Sequence, residues 1–387
     1  MTTSKPTKSR LRIGVVAPHI FLHRDILPQV IFSPGQLTID LAHGLQELGA
    51  EVTLFSPGPV DVRVRNITAD LSLFEQELAG RGDTYVDLLK KHPFTFVTLA
   101  RQVQAELIAR AYAMANAGQL DVVHIYTNEE DTALPFAELC QKPVVFTHHD
   151  PFNFLVKYKS VFPKYAHLNW VSLSLAQRGG MPPSTNWVAN IYHGIAADRF
   201  TSLNNSRGDY LAYLGRIIQP KGLHLAIAAA KKAGLPLKIA GKHYAGQKDS
   251  YWREYIEPEL DDTIEYIGFT KTDAQKQEFL GNAAALVVPS LFEEPFGMVS
   301  IEALACGTPV IGLASGAIPE IITNGENGLL VQKTSEPAMI ADLALAMRDA
   351  GTLSRKKART SFEVQFTLAR MCAEHLALYG QLAKKFV

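Results

Sequence analysis

Glu294 and Glu302 stand with seven residues between them, in the run PSLFEEPFGMVSIEALACGTPVIGLASGAIPE from Pro289 to Glu320. The apolar stretch Ala284–Val288 has the character of a buried strand, and Pro289 ends it. Pro295 and Gly297 mark a loop. Met298, Ile301 and Ala305, with Val299 and Leu304 beside them, recur at helical spacing. Gly307 fits the position just past a helix end, where φ is positive, and Pro309 cannot continue a helix. Val310–Leu313 then resumes a buried strand. A helix is therefore predicted to open near Gly297, and its free backbone N–H groups suit an anion or a polar sugar. A free carboxylate accepts several hydrogen bonds, so glutamates at such a place suit binding and orienting hydroxyl groups.

Two cations form a second constellation. Tyr210–Gly215 (YLAYLG) reads as a strand, followed by Arg216, Pro220, Lys221 and Gly222. The helix Leu223–Lys232 and the strand Leu237–Gly241 come next. An arginine at a strand end and a lysine at the following helix start suit a diphosphate: one offers a planar fork, the other a point charge. A third feature is His148-His149-Asp150-Pro151 after the strand Pro143–Thr147. Open α/β sheets place ligands at the carboxyl ends of their strands. Adjacent histidines on an extended segment point opposite ways, which argues against a joint metal site. A packing or solvent role is the expected one for His148. No Asp-x-Asp motif suited to a catalytic metal stands out.

The run Glu294-Pro295-Phe296-Gly297, then Glu302-Ala303, Ala305, Gly307 and Pro309-Val310, resembles the signature E-P-F-G-x-x-x-x-E-A-x-A-x-G-x-P-V. That signature belongs to the retaining GT-B glycosyltransferases of glycosyltransferase family 4. Arg216 to Gly222 is similar to the family's G-R-x-x-x-x-K-G, Gln177-Arg178 to its S-x-x-Q-R, and Asn327–Val331 to its N-G-x-L-V. His149 matches the end of Thr-x-His. Ser33-Pro34-Gly35-Gln36 stands where the family commonly carries a glycine pair, with Gly35 alone in place. In Asn190–Phe200, which looks like N-G-I-D…F, His193 replaces the usual Asn and Gly194 is kept. The likeness runs over almost the whole chain, strongest from Tyr210 to Val331 and weakest from Gly58 to Gly118.

The resemblance implies roles. Glu302 would accept hydrogen bonds from the donor ribose. Glu294 would hold hydroxyls of the donor sugar, helped by backbone N–H groups along Phe296, Gly297, Met298 and Val299. Arg216 and Lys221 would stabilise the leaving diphosphate, Gly35 would let backbone approach the donor, and His149 would lie beside the transferred sugar. The implied reaction is retaining transfer of a hexose-type sugar from a UDP- or GDP-linked donor to a hydroxyl of a glycan, lipid or small-molecule acceptor. No cofactor or metal is expected. Two rivals are a nucleotide-sugar epimerase or phosphorylase of the same plan, and a non-catalytic nucleotide-sugar-binding protein. A phosphorylase would need a pyridoxal-phosphate lysine motif, which is not evident.

The elements around these residues are those of an α/β chain. Arg12–Ala17 is a predicted strand, the segment from Pro18 to Gly35 a loop, Leu37, Leu41, Leu45 and Leu48 a helix face closing at Gly49, and Glu51–Ser56 a second strand. That order is a βαβ unit. The absence of G-x-G-x-x-G after the first strand speaks against a dinucleotide enzyme. Further strands are read at Asp121–Tyr126, Asn169–Ser174 and Glu265–Phe269. Val103, Leu107, Ala111 and Met114 form an apolar stripe in the largely helical stretch Gly58–Gly118. Lys90, Lys91 and Arg101 flank Phe94 and Phe96; such a patch could touch a lipid headgroup or an acceptor, though a solvated face is the simpler account. The final helix is read from Phe362 to Tyr379, ending at Gly380. The expected architecture is GT-B: two Rossmann-like doubly wound parallel-sheet domains facing a central cleft. Residues 1–193 would form the acceptor-side domain, 194–361 the donor domain, with Thr201–Gly208 as linker, and 362–387 a helix returning to the first domain.

Composition narrows the class. The chain has 387 residues, 47% of them hydrophobic, and a formal net charge of zero, so no global field argues for nucleic acid. Cys140, Cys306 and Cys372 are few, odd in number and far apart, which fits a reducing compartment. The polar, basic MTTSKPTKSR is not followed by a signal-peptide core, and no run approaches the ~20 apolar residues of a membrane span. A cytoplasmic protein is expected, with peripheral membrane contact left open and the oligomeric state unspecified.

Overall fold

The computed structural model describes residues 10–27, 30, 32–202, 208–243 and 250–385. The N-terminal stretch to Ser9 and most of the linker, residues 203–207, lie outside the described residues. The chain divides into two compact units. One comprises Met1–Leu173, Arg178–Ile191 and Ala369–Val387; the other comprises Ser174–Gln177 and Tyr192–Leu368.

The first unit is built on β1 (Arg12–Val16), α1 (Ser33–Glu47), β2 (Glu51–Ser56), β3 (Arg65–Thr68), α2 (Ser72–Arg81), α3 (Tyr85–Lys91), α4 (Pro93–Asn116), β4 (Val122–Ile125), β5 (Val144–Thr147), α5 (Val156–Val161), β6 (Asn169–Ser172) and β7 (Trp187–Asn190). Its sheet has the order β3-β2-β1-β4-β5-β6-β7, with every pairing parallel. The central strands are apolar runs because both faces are covered by helices. Val103, Leu107 and Ala111 of α4 are buried in the core, and Met114 packs against it.

The second unit carries β8 (Leu211–Leu214), α6 (Leu223–Ala233), β9 (Leu237–Ala240), β10 (Ile264–Gly268), α7 (Asp273–Gly281), β11 (Ala285–Val288), α8 (Met298–Ala305), β12 (Val310–Leu313), α9 (Ile318–Ile321), β13 (Gly328–Val331), α10 (Glu336–Asp349) and α11 (Arg355–Gln365). Its sheet runs β10-β9-β8-β11-β12-β13, again all parallel. Strand order reverses between β8 and β11, and in the first unit between β1 and β4. Such a reversal opens a crevice at the strand ends, which is where open α/β sheets bind ligands.

Several expectations need correction. The first helix begins at Ser33, so Gly35 lies inside its first turn rather than in the loop before it. Pro34 explains this: its fixed φ and missing N–H suit the start of a helix. The strands β3 and β7 were not expected. They are the two edges of the first sheet and only partly buried, and β3 (RNIT) carries no apolar run. The last helix is two helices. After α11 the chain pauses at Phe366 and Thr367, then α12 (Leu368–Lys385) runs on through Gly380. The pause has a hydrogen-bonded cause: Ile195 N–H donates to Phe366 O at 3.0 Å and Leu368 N–H to Ile195 O at 2.8 Å. The basic–aromatic patch is not one surface. Phe96 is buried and Phe94 exposed, Lys91 pairs with Asp83, and Arg101 pairs with Glu129 and Asp131.

Cys140, Cys306 and Cys372 are buried free thiols. Among the described residues no helix is long and apolar enough to cross a membrane.

Candidate functional site

Four of the charged residues singled out by sequence belong to the elements around the strand-order reversal of the second unit. Arg216 follows β8, Lys221 precedes α6, Glu294 lies in the loop after β11, and Glu302 is on α8. The two loops are tied by backbone: the N–H groups of Leu291 and Phe292 both donate to Pro220 O at 2.9 Å. Lys221 Nζ, held in this way beside the second loop, donates to Glu294 Oε1. The same ammonium lies 5.3 Å from the Phe292 ring centroid. Ser290 Oγ donates to Glu294 Oε1 at 2.9 Å. Glu294 thus has its orientation set from two sides. Lysine carries three N–H donors, so Lys221 keeps capacity for a second anion. Arg216 is exposed, and its carbonyl accepts from Tyr213 Oη at 3.0 Å.

Helix α8 starts where the sequence predicted. Gly297 is its N-cap residue with φ 117°, a backbone state that glycine reaches without a Cβ clash. No side chain caps this end, so the first-turn N–H groups after Gly297 have no side-chain acceptor. Phe296 is buried, while Met298 and Val299 are half-buried. Ser300 through Ala305 are all buried, so apart from Ser300 the helix neighbours of Glu302 are apolar. Its compensation is Lys276 of α7, whose Nζ donates to Glu302 Oε1 at 2.6 Å.

Glu320 organises the neighbouring segment. Its carboxylate accepts N–H bonds from Leu175 at 2.8 Å and Ala176 at 2.7 Å, and the Tyr192 hydroxyl at 2.9 Å. Ser174 Oγ donates to Pro295 O at 2.8 Å. These bonds explain why Ser174–Gln177 belongs with the second unit. His193 is buried with its ring edge-on to Phe296, 5.1 Å between centroids.

Gly35 and His149 lie in the first unit. A Cβ at Gly35 would come within 2.9 Å of Leu27 Cδ1 and 3.0 Å of Phe32 Cδ1, so this glycine serves close apolar packing. His149 follows β5 and is buried, its N–H donating to Asn128 Oδ1 at 3.2 Å and its ring edge-on to Tyr126 at 4.8 Å. Behind it lies a buried polar chain. His124 Nδ1 bonds the Tyr379 hydroxyl at 2.6 Å, and His124 Nε2 bonds Thr147 Oγ1 at 2.8 Å. Burial pushes the His124 imidazole well below its ordinary range. His148 points into an aromatic cluster of Phe152, Tyr158 and Phe162 and bonds Glu130 at 3.1 Å. Burial pushes Glu130 well up and His148 down to about 4.

Sequence reasoning missed Lys276, Ser290 and His124. Lys276 sits in a polar helix start and Ser290 beside a proline, where nothing distinguishes them from solvated residues. A histidine inside the apolar strand β4 was the one visible signal. Among the described residues no group of His, Cys, Asp or Glu is arranged to hold a metal.

Residues 195–361 match the family model "Glycosyl transferases group 1". The D-inositol 3-phosphate glycosyltransferase of Mycolicibacterium smegmatis is 31% identical over 178 residues, 44% of this chain and 40% of that protein. The glycogen synthase of Mycobacterium tuberculosis is 31% identical over 159 residues, 39% of this chain and 36% of that protein. The aligned stretches thus span well under half the length of these curated relatives. Among solved structures, sucrose-phosphate synthase from Thermosynechococcus elongatus aligns over 97% of this chain and 100% of its own, with TM-score 0.70 and 21% identity. Anabaena HepE, in complex with UDP and glucose, aligns over 96% and 100%, with TM-score 0.65 and 15% identity. The fold is that of the GT-B glycosyltransferases.

Proposed function

We propose that the chain is a retaining glycosyltransferase. It moves a hexose from a UDP- or GDP-linked sugar to a hydroxyl of a glycan, lipid or small-molecule acceptor, without a metal or other cofactor. The observation that carries this reading is the Lys221–Glu294 ion pair at the strand-order reversal of the second unit, in the stretch that matches the glycosyltransferase group 1 model. The binding of UDP and glucose by the Anabaena neighbour supports a nucleotide-sugar donor.

In this reading the C1–O bond to the leaving phosphate breaks as the acceptor oxygen bonds C1 from the same face. The acceptor proton passes to the leaving phosphate oxygen, and a nucleoside diphosphate departs. Positive charge must meet that departing oxygen. Arg216, Lys221 and the N–H groups at the start of α8 supply it. Glu294 orients the sugar hydroxyls and Glu302 the ribose; both act by binding rather than as a glycosidase pair. His149 contacts a hydroxyl of the transferred sugar, and Gly35 keeps the start of α1 compact. The buried free thiols support a reducing, cytoplasmic setting.

The test is incubation with UDP-glucose, UDP-N-acetylglucosamine and GDP-mannose, reading release of nucleoside diphosphate and free sugar. Proton NMR of the anomeric centre of the product follows. Release from one donor with the donor's anomeric configuration kept is expected. Inverted product, or no release from any nucleotide sugar, would sink the reading.

A further inference from the structure

Glu302 is the single acidic residue of α8, and its neighbours Ile301, Ala303, Leu304 and Ala305 are buried apolar side chains. A buried carboxylate costs free energy unless it is hydrogen-bonded. The partner comes from another helix. Lys276 Nζ donates to Glu302 Oε1 at 2.6 Å, with the two side chains 21% and 8% exposed. Among the described residues no other hydrogen bond reaches the Glu302 carboxylate, so Oε2 receives none. One oxygen is clamped and the other is left to accept.

The clamp stands on a braced frame. Thr272 caps α7, its Oγ1 accepting from Gln275 N–H at 3.2 Å. Phe279 and Leu280, three and four positions after Lys276, are buried and turn that face of the helix inward. At the far end Arg355 Nη2 donates to Gly281 O at 2.6 Å and to Thr308 Oγ1 at 3.0 Å, and Thr308 Oγ1 donates to Leu280 O at 2.7 Å. Thr308 follows α8, so the ends of α7 and α8 are joined and the lysine–glutamate distance is fixed by both helices.

We propose that Lys276 is a positioning residue. By holding Oε1 it aims Oε2 at the donor ribose, and so sets a preference for ribonucleotides over nucleotides lacking ribose hydroxyls. The inference rests on the nucleotide-sugar reading above. A lysine that merely stabilises the fold would change affinity for both kinds of nucleotide equally. A lysine that aims the carboxylate changes only the part of the affinity that ribose hydroxyls supply.

The experiment is titration calorimetry of the full chain with UDP and GDP, and with their 2′,3′-dideoxy counterparts. A hydrogen bond to a charged group is worth about tenfold or more in affinity. The unaltered protein should favour its ribonucleotide by at least about that factor. Lys276→Met should bring the ratio towards one while leaving dideoxynucleotide affinity within about twofold. Glu302→Gln should do the same, and the double variant should be no worse than either alone, because the two side chains act as one unit. An unchanged ratio in Lys276→Met, or equal losses for both nucleotides, would overturn the assignment. Binding of neither nucleotide by the unaltered protein would instead overturn the donor reading, and this inference with it. Lys276→Arg keeps the charge and should keep the ratio; its loss there would also count against the assignment.

Discussion

Lys221 and Glu294 form an ion pair between positions 73 residues apart, with side chains 19% and 11% exposed. Each comes from a loop at a strand end, and the Pro220 carbonyl ties the two loops together. Lys221→Met leaves Glu294 half-buried with Ser290 as its remaining side-chain donor. The expected loss of stability is about 1–3 kcal/mol. Donor turnover should fall about 10²–10³-fold if the same ammonium meets the leaving diphosphate. Calorimetric melting and a donor-release assay on one preparation read both. A normal rate in the variant would remove Lys221 from the chemistry.

Arg216 gives the contrasting case. Its side chain is exposed, so Arg216→Ala should leave the melting temperature nearly unchanged. Its transition-state contribution should be about 2–4 kcal/mol by comparison with other preorganised donors. A melting temperature that falls as far as in Lys221→Met, with turnover intact, would show a structural residue.

Gly222 tests the loop geometry. It has φ 69° and caps α6, and a Cβ there would overlap the Pro289 carbonyl oxygen. Gly222→Ala must therefore strain its own backbone and push the loop after β11 away. The expected cost is about 1–3 kcal/mol, with weaker nucleotide binding because Lys221 and Glu294 separate. Thermal melting with and without nucleotide reads both effects. A variant as stable as the parent would show that the two loops do not constrain each other.

Acid sensitivity should come from buried histidines. Burial lowers His19 and His148 to about 4 and His124 well below the ordinary 6.5. Below pH 6.5 the unfolded chain takes protons that the folded chain refuses. Stability from these groups is therefore present above about pH 6.5 and lost as pH falls towards 4, by up to about 1.4 kcal/mol per unit for each. Glu130 works the other way: pushed well up, its contribution is complete below pH 4.5 and is lost as pH rises through its folded value. His124→Gln separates the two. Its melting temperature should fall less between pH 7 and pH 5 than that of the parent; an equal fall would clear His124.

Much of the second unit was legible in the sequence. The strand β12 lies at Val310–Leu313 as read, β11 begins one residue later than read, and α8 opens after Gly297. Buried parallel strands are continuous apolar runs, and helix ends carry glycine and proline, so local signals suffice there. The edges of the first sheet were not legible. Arg65–Thr68 and Trp187–Asn190 are partly buried strands whose pairing, rather than composition, makes them strands. The break at Phe366 and Thr367 escaped for a similar reason, since its cause is a backbone partner at Ile195.

The sequence by itself determined the α/β class, the helix start at Gly297, and which carboxylates and cations deserved notice, because residue type and spacing along one strand or helix carry that information. Tertiary structure alone decided who pairs with whom. Lys221 meets Glu294, Lys276 meets Glu302, and Glu320 binds the N–H groups of Leu175 and Ala176. Those partners lie far apart in the chain, and parallel strand crossovers bring them together. No periodicity records such a meeting, so the orientation of each carboxylate belongs to the fold.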